Sequence, residues 1–97
     1  MATYVSLFQF TDQGIRAVKD TTKRAEAAKA MAAKVGVKSL DILWTLGPYD
    51  LVVVGEAPDD ETMTAFALSL ASLGNVKTCT MRAYSTKEVE TILGKMA

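Results

Sequence analysis

The chain has 97 residues, 49% of them hydrophobic and 23% charged, the mix of a single globular domain over residues 1–97; a disordered, fibrous or low-complexity chain is excluded. Eleven basic and eleven acidic residues cancel, and no more than two basic residues stand together, so no electrostatic footprint for nucleic acid exists. Histidine is absent and Cys79 is the single cysteine, which removes histidine-based acid–base catalysis, the usual haem ligand, the common zinc, copper and iron sites, and any internal disulfide.

Residues Thr3 to Phe10 are rich in aromatic and β-branched types and read as a first strand, closed by a turn at Thr11-Asp12-Gln13-Gly14. From Gly14 to Val35 the apolar spacing becomes helical. Asp20 ahead of Thr21 and Thr22 looks like a second helix start, so a short helical turn and then a long helix are expected. Alanines leave that helix little bulk toward the sheet, and Gly36 suits its left-handed end. Val37 to Leu46 and Asp50 to Ala57 flank Gly47-Pro48-Tyr49 and predict two antiparallel strands joined by a hairpin. Pro58-Asp59-Asp60-Glu61 opens a helix whose carboxylates offset the positive amino end; Met63, Phe66, Ala67, Leu70 and Leu73 line one side and Gly74 closes it. Val76 to Tyr84 returns to strand. Ser85-Thr86-Lys87-Glu88 is a capping-box pattern that leads into a short amphipathic helix with Val89, Ile92, Leu93 and Met96 on one face.

The resulting order, β-α-β-β-α-β-α, is an α+β chain of ferredoxin-like plan: a βαββαβ unit with a four-stranded antiparallel sheet, two helices on one face, and a short C-terminal helix. The other face is then uncovered, yet both sides of the strands are apolar. Val5 and Leu7 oppose Tyr4, Phe8 and Phe10; Leu43 opposes Ile42, Trp44 and Leu46; Val52 and Val54 oppose Leu51 and Val53. A sheet with one wet face alternates more cleanly, so a second copy of the chain is the expected cover. Which set meets the helices is open, because a slip of one residue exchanges the two. A domain this small hides only about 60–70% of the surface its unfolded chain exposes, which also favours association. No apolar run approaches the roughly 18–20 residues of a membrane span, and no basic-then-apolar signal opens the chain, so a cytoplasmic protein without a membrane partner is expected.

The run from Trp44 to Arg82 resembles the GYD domain family, small bacterial proteins named for a Gly, a Tyr and an Asp near the central hairpin, here Gly47, Tyr49 and Asp50. Thr11-Asp12-Gln13-Gly14-Ile15-Arg16, Glu56-Ala57-Pro58-Asp59-Asp60-Glu61, Leu73-Gly74-Asn75-Val76 and Arg82-Ala83 extend the similarity over nearly the whole chain. The resemblance implies membership of the dimeric α/β-barrel group, in which ferredoxin-like subunits meet sheet to sheet. That group includes cofactor-free monooxygenases, haem proteins and ligand-sensing modules. Its histidine-ligated haem proteins are no model for a chain without histidine.

Trp44, Tyr49 and Asp50 are the first candidate ligand-binding residues, because an aromatic pair beside a carboxylate can hold a small polar-headed molecule. Against that, the glycine and proline serve the turn, Asp50 can accept from backbone amides and the rings can fill the core. Glu56 and Arg82 fall inside strands, where charges need partners; if they share a face they could pair, or Arg82 could receive a ligand carboxylate or phosphate, while wet strand ends make solvated rim positions the favoured reading. Asp59, Asp60 and Glu61 are accounted for by helix capping, so no metal is expected there. Cys79, with no histidine to activate it, reads as a small buried filler. The last helix reads as a lid over the core or a subunit edge. Two functions remain. The favoured one is a non-catalytic homo-oligomeric module, a dimer or higher, that binds a small apolar or aromatic ligand or serves assembly, with no cofactor. The alternative is a cofactor-independent enzyme, monooxygenase- or isomerase-like, acting on a small aromatic or carbonyl substrate; Tyr49 or Asp50 would carry the proton, Arg82 would stabilise charge and Trp44 would stack on the substrate.

Overall fold

A computed structural model describes residues Met1–Ala97. Strand β1 (Ala2–Phe10) is followed by a short helix α1 (Asp12–Arg16), a 3-10 turn (Val18–Asp20), helix α2 (Thr21–Lys34), strands β2 (Lys38–Trp44) and β3 (Leu51–Ala57), helix α3 (Asp60–Ser72), strand β4 (Val76–Ala83) and helix α4 (Thr86–Leu93). The strands form one antiparallel sheet in the order β2-β3-β1-β4, consistent with the ferredoxin-like plan.

Local chemistry sets most of these boundaries. The expected turn after β1 is instead the start of α1. Thr11 is its N-cap and accepts from the Gly14 N–H at 3.1 Å, a role that a threonine before an acidic first turn favours. The Thr11 hydroxyl also donates to the Gly74 carbonyl at 2.5 Å, and the Thr11 N–H donates to the Asn75 carbonyl at 3.1 Å. These bonds tie the start of α1 to the loop after α3. Gly36 and Gly74 follow α2 and α3 with φ of +84° and +85°, in the left-handed region that other residues avoid. Strand β2 ends at Trp44, two residues earlier than the apolar pattern suggests. Thr45 closes the turn there, its N–H donating to the Asp50 carbonyl at 2.9 Å and its hydroxyl to the Tyr49 carbonyl at 2.6 Å, and Leu46 lies in solvent.

Register decides the two faces. Tyr4 pairs with Gly55 and Arg82, Ser6 with Val53 and Thr80, and Phe8 with Leu51 and Thr78. Tyr4, Ser6 and Phe8 are the buried positions of β1, so their set faces the helices. At one end of that face Tyr4, Ala32, Val37, Ala57 and Met63 form the buried core, with Ala2 and Phe66 packed against it. Ala32 is fully covered, as expected where a small residue lets a helix lie close to a sheet. Farther along, Ala25 and Ala28 of α2 face Phe66 and Leu70 of α3 across an open space of ≈ 240 Å³ above Phe8 and Leu51. The same lack of bulk that seats one end of α2 leaves a cavity at the other.

Helix α4 lies along neither sheet nor helices, so within one chain it is not the lid over the core that its apolar stripe suggests. Val89, Ile92, Leu93 and Met96 all remain exposed. The Cα radius of gyration is 14.6 Å and the long axis 50 Å, against about 12.5 Å for a compact chain of this length. No helix is long and apolar enough to cross a membrane.

Candidate functional site: the open sheet face

The face away from the helices carries two apolar rows. One runs Val54, Val5, Met81 across β3, β1 and β4; the next runs Leu43, Val52, Leu7, Cys79 across all four strands. Lys38, Glu56, Thr3 and Ala83 form a row on one side, Gln9 and Lys77 pair on the other, and Asp41 ends the first row on β2. An apolar centre inside a polar rim is the anatomy of a protein interface rather than of a solvated sheet. Leu43 and Met81 are 57% and 44% exposed. Cys79, expected as a buried filler, lies exposed in this block beside Leu7. The reason is register: β4 turns Thr78 and Thr80, not Cys79, toward the helices.

The hairpin candidates lie together at the far end of the sheet. Trp44 stands on the helix side of β2, 45% exposed, and its indole Nε1 donates to Thr21 Oγ1 at 3.0 Å. The Tyr49 carbonyl accepts the Thr45 hydroxyl, as described. Asp50 Oδ2 accepts the Phe10 N–H at 2.8 Å and the Asp50 N–H donates to the Phe8 carbonyl at 2.8 Å. Asp50 thus continues the β1–β3 ladder past its last pair, through its side chain.

Arg82 is not with them. It pairs in register with Tyr4, four residues along β1 from Phe8, about 13 Å at strand rise. Arg82 and Glu56, which could have paired had they shared a face, lie on opposite faces. Glu56 pairs with Thr3 and Arg82 with Tyr4, and neighbouring positions on β1 point to opposite faces. The partner of Arg82 is Glu88, at 3.0 Å from Nη2. Its Nη1 donates to the Thr3 carbonyl at 3.1 Å and to the Ala83 carbonyl. The guanidinium also sits 4.5 Å from the Tyr84 ring centroid and 5.7 Å from that of Tyr4, within cation–π range. The Glu88 carboxylate holds the Arg82 guanidinium above its ordinary value. Glu88 is held below the usual glutamate range, first by the Ser85 backbone N–H and then by Arg82. Capping box and ion pair together anchor the root of α4.

Two groups not singled out from the sequence complete this end. Tyr4 Oη donates to Asp60 Oδ1 at 2.5 Å, and Ser6 and Thr80 share a 2.8 Å hydrogen bond beneath them. The Asp60 bond, together with burial, pushes the Tyr4 hydroxyl up to about 12. Asp59, not Asp60, caps α3, accepting the Thr62 N–H at 2.7 Å, which keeps its carboxyl below the usual range. The acidic triplet therefore divides between a cap and a tyrosine clamp. The alternation along β1 sets Tyr4 opposite Val5 and Leu7, but neither which of those sides is the inner one nor the acceptor 56 residues later was legible in the sequence.

A family model described as the GYD domain matches residues 4–93. A curated protein of Thermus thermophilus, named "Glutamine synthetase and cystathionine beta-lyase binding protein", is 38% identical over 84 residues, which cover 86% of this chain and 88% of that protein. No solved structure matches the chain. The family match takes in all four strands, the hairpin Gly47, Tyr49 and Asp50, and α4 to its last residue, and the chain belongs to the GYD domain family.

Proposed function

We propose that this chain is a non-catalytic, homo-oligomeric protein-binding module, working as one domain in a bacterial cytoplasm, whose copies pair through the open sheet face. The observation that carries the reading is the pair of apolar rows bounded by polar ones. Four strands at about 4.8 Å spacing and eight residues at about 3.3 Å rise present roughly 500 Å² per copy. Two copies would bury about 1,000 Å², the lower bound for a specific interface. The non-catalytic half of the reading is supported by Asp50 and Arg82, whose polar groups are committed to the β1–β3 ladder and to the root of α4.

The similarity to a protein named for binding glutamine synthetase and cystathionine beta-lyase makes those two enzymes the partners to try first. Pairing through the sheet leaves the outer surfaces of α2 and α3 free for them. Sedimentation equilibrium is expected to give dimers or larger assemblies at micromolar concentration, and Leu43→Asp, which places a charge in the apolar block, to give monomers. Biolayer interferometry against each purified enzyme is expected to show binding by the native chain. A monomeric native chain would overturn the pairing, and binding to neither enzyme would overturn the assignment of partners.

A further inference from the structure

The cavity between α2 and α3 lies on the opposite side of the sheet from the pairing surface, so each can fail without the other. The space is a cleft of ≈ 240 Å³, open to solvent on one side, and apolar concavities with a few polar groups are where small ligands bind. Phe8, Phe66 and Leu70 wall it, and Ala28 supplies too little bulk to close it. Arg24 and Lys29 border it and no acidic residue does. Neither cation is in an ion pair, the Arg82–Glu88 pair being the only one in the chain. Arg24 is half-buried and donates a single long bond, 3.4 Å from Nη1 to the Gly14 carbonyl, which leaves most of its five N–H groups available. An apolar chamber with cations at its mouth is complementary to an anionic amphiphile: hydrocarbon inside, carboxylate on the guanidinium.

We propose that this cavity binds a carboxylate-headed hydrocarbon of about ten carbons, a size scaled from the ~150 Å³ apolar cavity that accepts one benzene. The single tryptophan reports on the site, because Trp44 donates to Thr21, which borders the cavity. Decanoate and the uncharged 1-decanol are titrated into the full chain and followed by Trp44 fluorescence and calorimetry. Decanoate is expected to saturate one site per chain about tenfold more tightly than 1-decanol, as one charge-assisted bond would give. Arg24→Gln is expected to remove that preference. Ala28→Phe, which fills the chamber, is expected to abolish binding with the circular dichroism spectrum unchanged; if it does not fold, Ala28→Leu reads the same loss in part. Leu43→Asp on the open face is expected to leave decanoate affinity unchanged. No saturable response to decanoate, equal affinity for the two probes, or binding lost in Leu43→Asp but kept in Ala28→Phe would each overturn the proposal.

Discussion

At the scale of single residues, Gly14 and Tyr4 show how tightly local identity is constrained. A Cβ built on Gly14 would stand 2.0 Å from the Asn75 carbonyl oxygen, and that oxygen is held by the Thr11 N–H. Neither backbone can yield without breaking the tie between α1 and the loop after α3. Gly14→Ala is therefore expected to cost about 3 kcal/mol or more in urea unfolding. Tyr4 gives a pH dependence of definite sign. Its folded-state value of about 12 lies above the ordinary 10, so the fold favours the neutral phenol; that contribution is complete below pH 10 and is lost as pH rises through about 12. A spectrophotometric titration is expected to show one phenolate appearing near 12, and Tyr4→Phe to lose about 1–2 kcal/mol of stability. The sequence disclosed the acidic triplet as a helix start and placed Tyr4 on the same side of β1 as Phe8, because both follow from local spacing, but not that this side faces the helices. That Asp60 would leave the cap to Asp59 and take the tyrosine proton depends on a tertiary approach no spacing encodes.

At the scale of elements, α4 behaves differently from the other helices. Its start was legible, since Ser85 and Glu88 close the capping box their spacing predicts, but its destination was not. Amphipathic spacing says only that one side avoids water, and here Val89, Ile92, Leu93 and Met96 on that side all stay exposed within the chain. Helix α4 is held chiefly at its root by Glu88. The folded chain depresses the Glu88 carboxyl, so this anchoring is complete above the ordinary glutamate range and is lost as pH falls below that range through the depressed value of the folded state. Amide exchange of α4 is expected to accelerate over that acid interval, while α3, which packs on the sheet, keeps its protection. Glu88→Gln should accelerate α4 exchange at neutral pH. Whether Glu56 and Arg82 could pair was undecidable for a reason of the same kind. Both strands were recognisable, but the one-residue offset between Thr3–Glu56 and Tyr4–Arg82 that separates the charges is a matter of register.

At the scale of the whole molecule, strand order and helix placement follow from the alternation of elements, whereas the identity of the faces does not. Val5 and Leu7 are as apolar as Tyr4 and Phe8, so hydropathy could not say which set is inside. Burial of Tyr4, Ser6 and Phe8 decides it. Even so, no large side chain is fully covered, and under the proposed pairing a second copy would add burial that a domain this small lacks. The melting temperature is accordingly expected to rise with protein concentration, as mass action requires when only assembled folded chains are stabilised. Met81→Lys, in the centre of the open face, should lower the melting temperature and abolish its concentration dependence. The hairpin Gly47, Tyr49 and Asp50 that marks the family in sequence proves, for Asp50, to brace β1 against the end of β3. The alanines that leave room beneath α2 were legible in the sequence, but not where along the helix they would be seated and where they would leave a cavity.

The pairing of β2 with β3 slips between Ser39 and Asp41, and the extra residue, Leu40, is 44% exposed at the border of the sheet. Such an irregularity breaks the evenly spaced series of unpaired amides and carbonyls that an incoming strand would need to zip onto, and it bends the border away from flatness. Under the proposed pairing, this border steers copies away from ribbon-like growth, which has no natural end, and toward meetings that stop once two surfaces have covered each other.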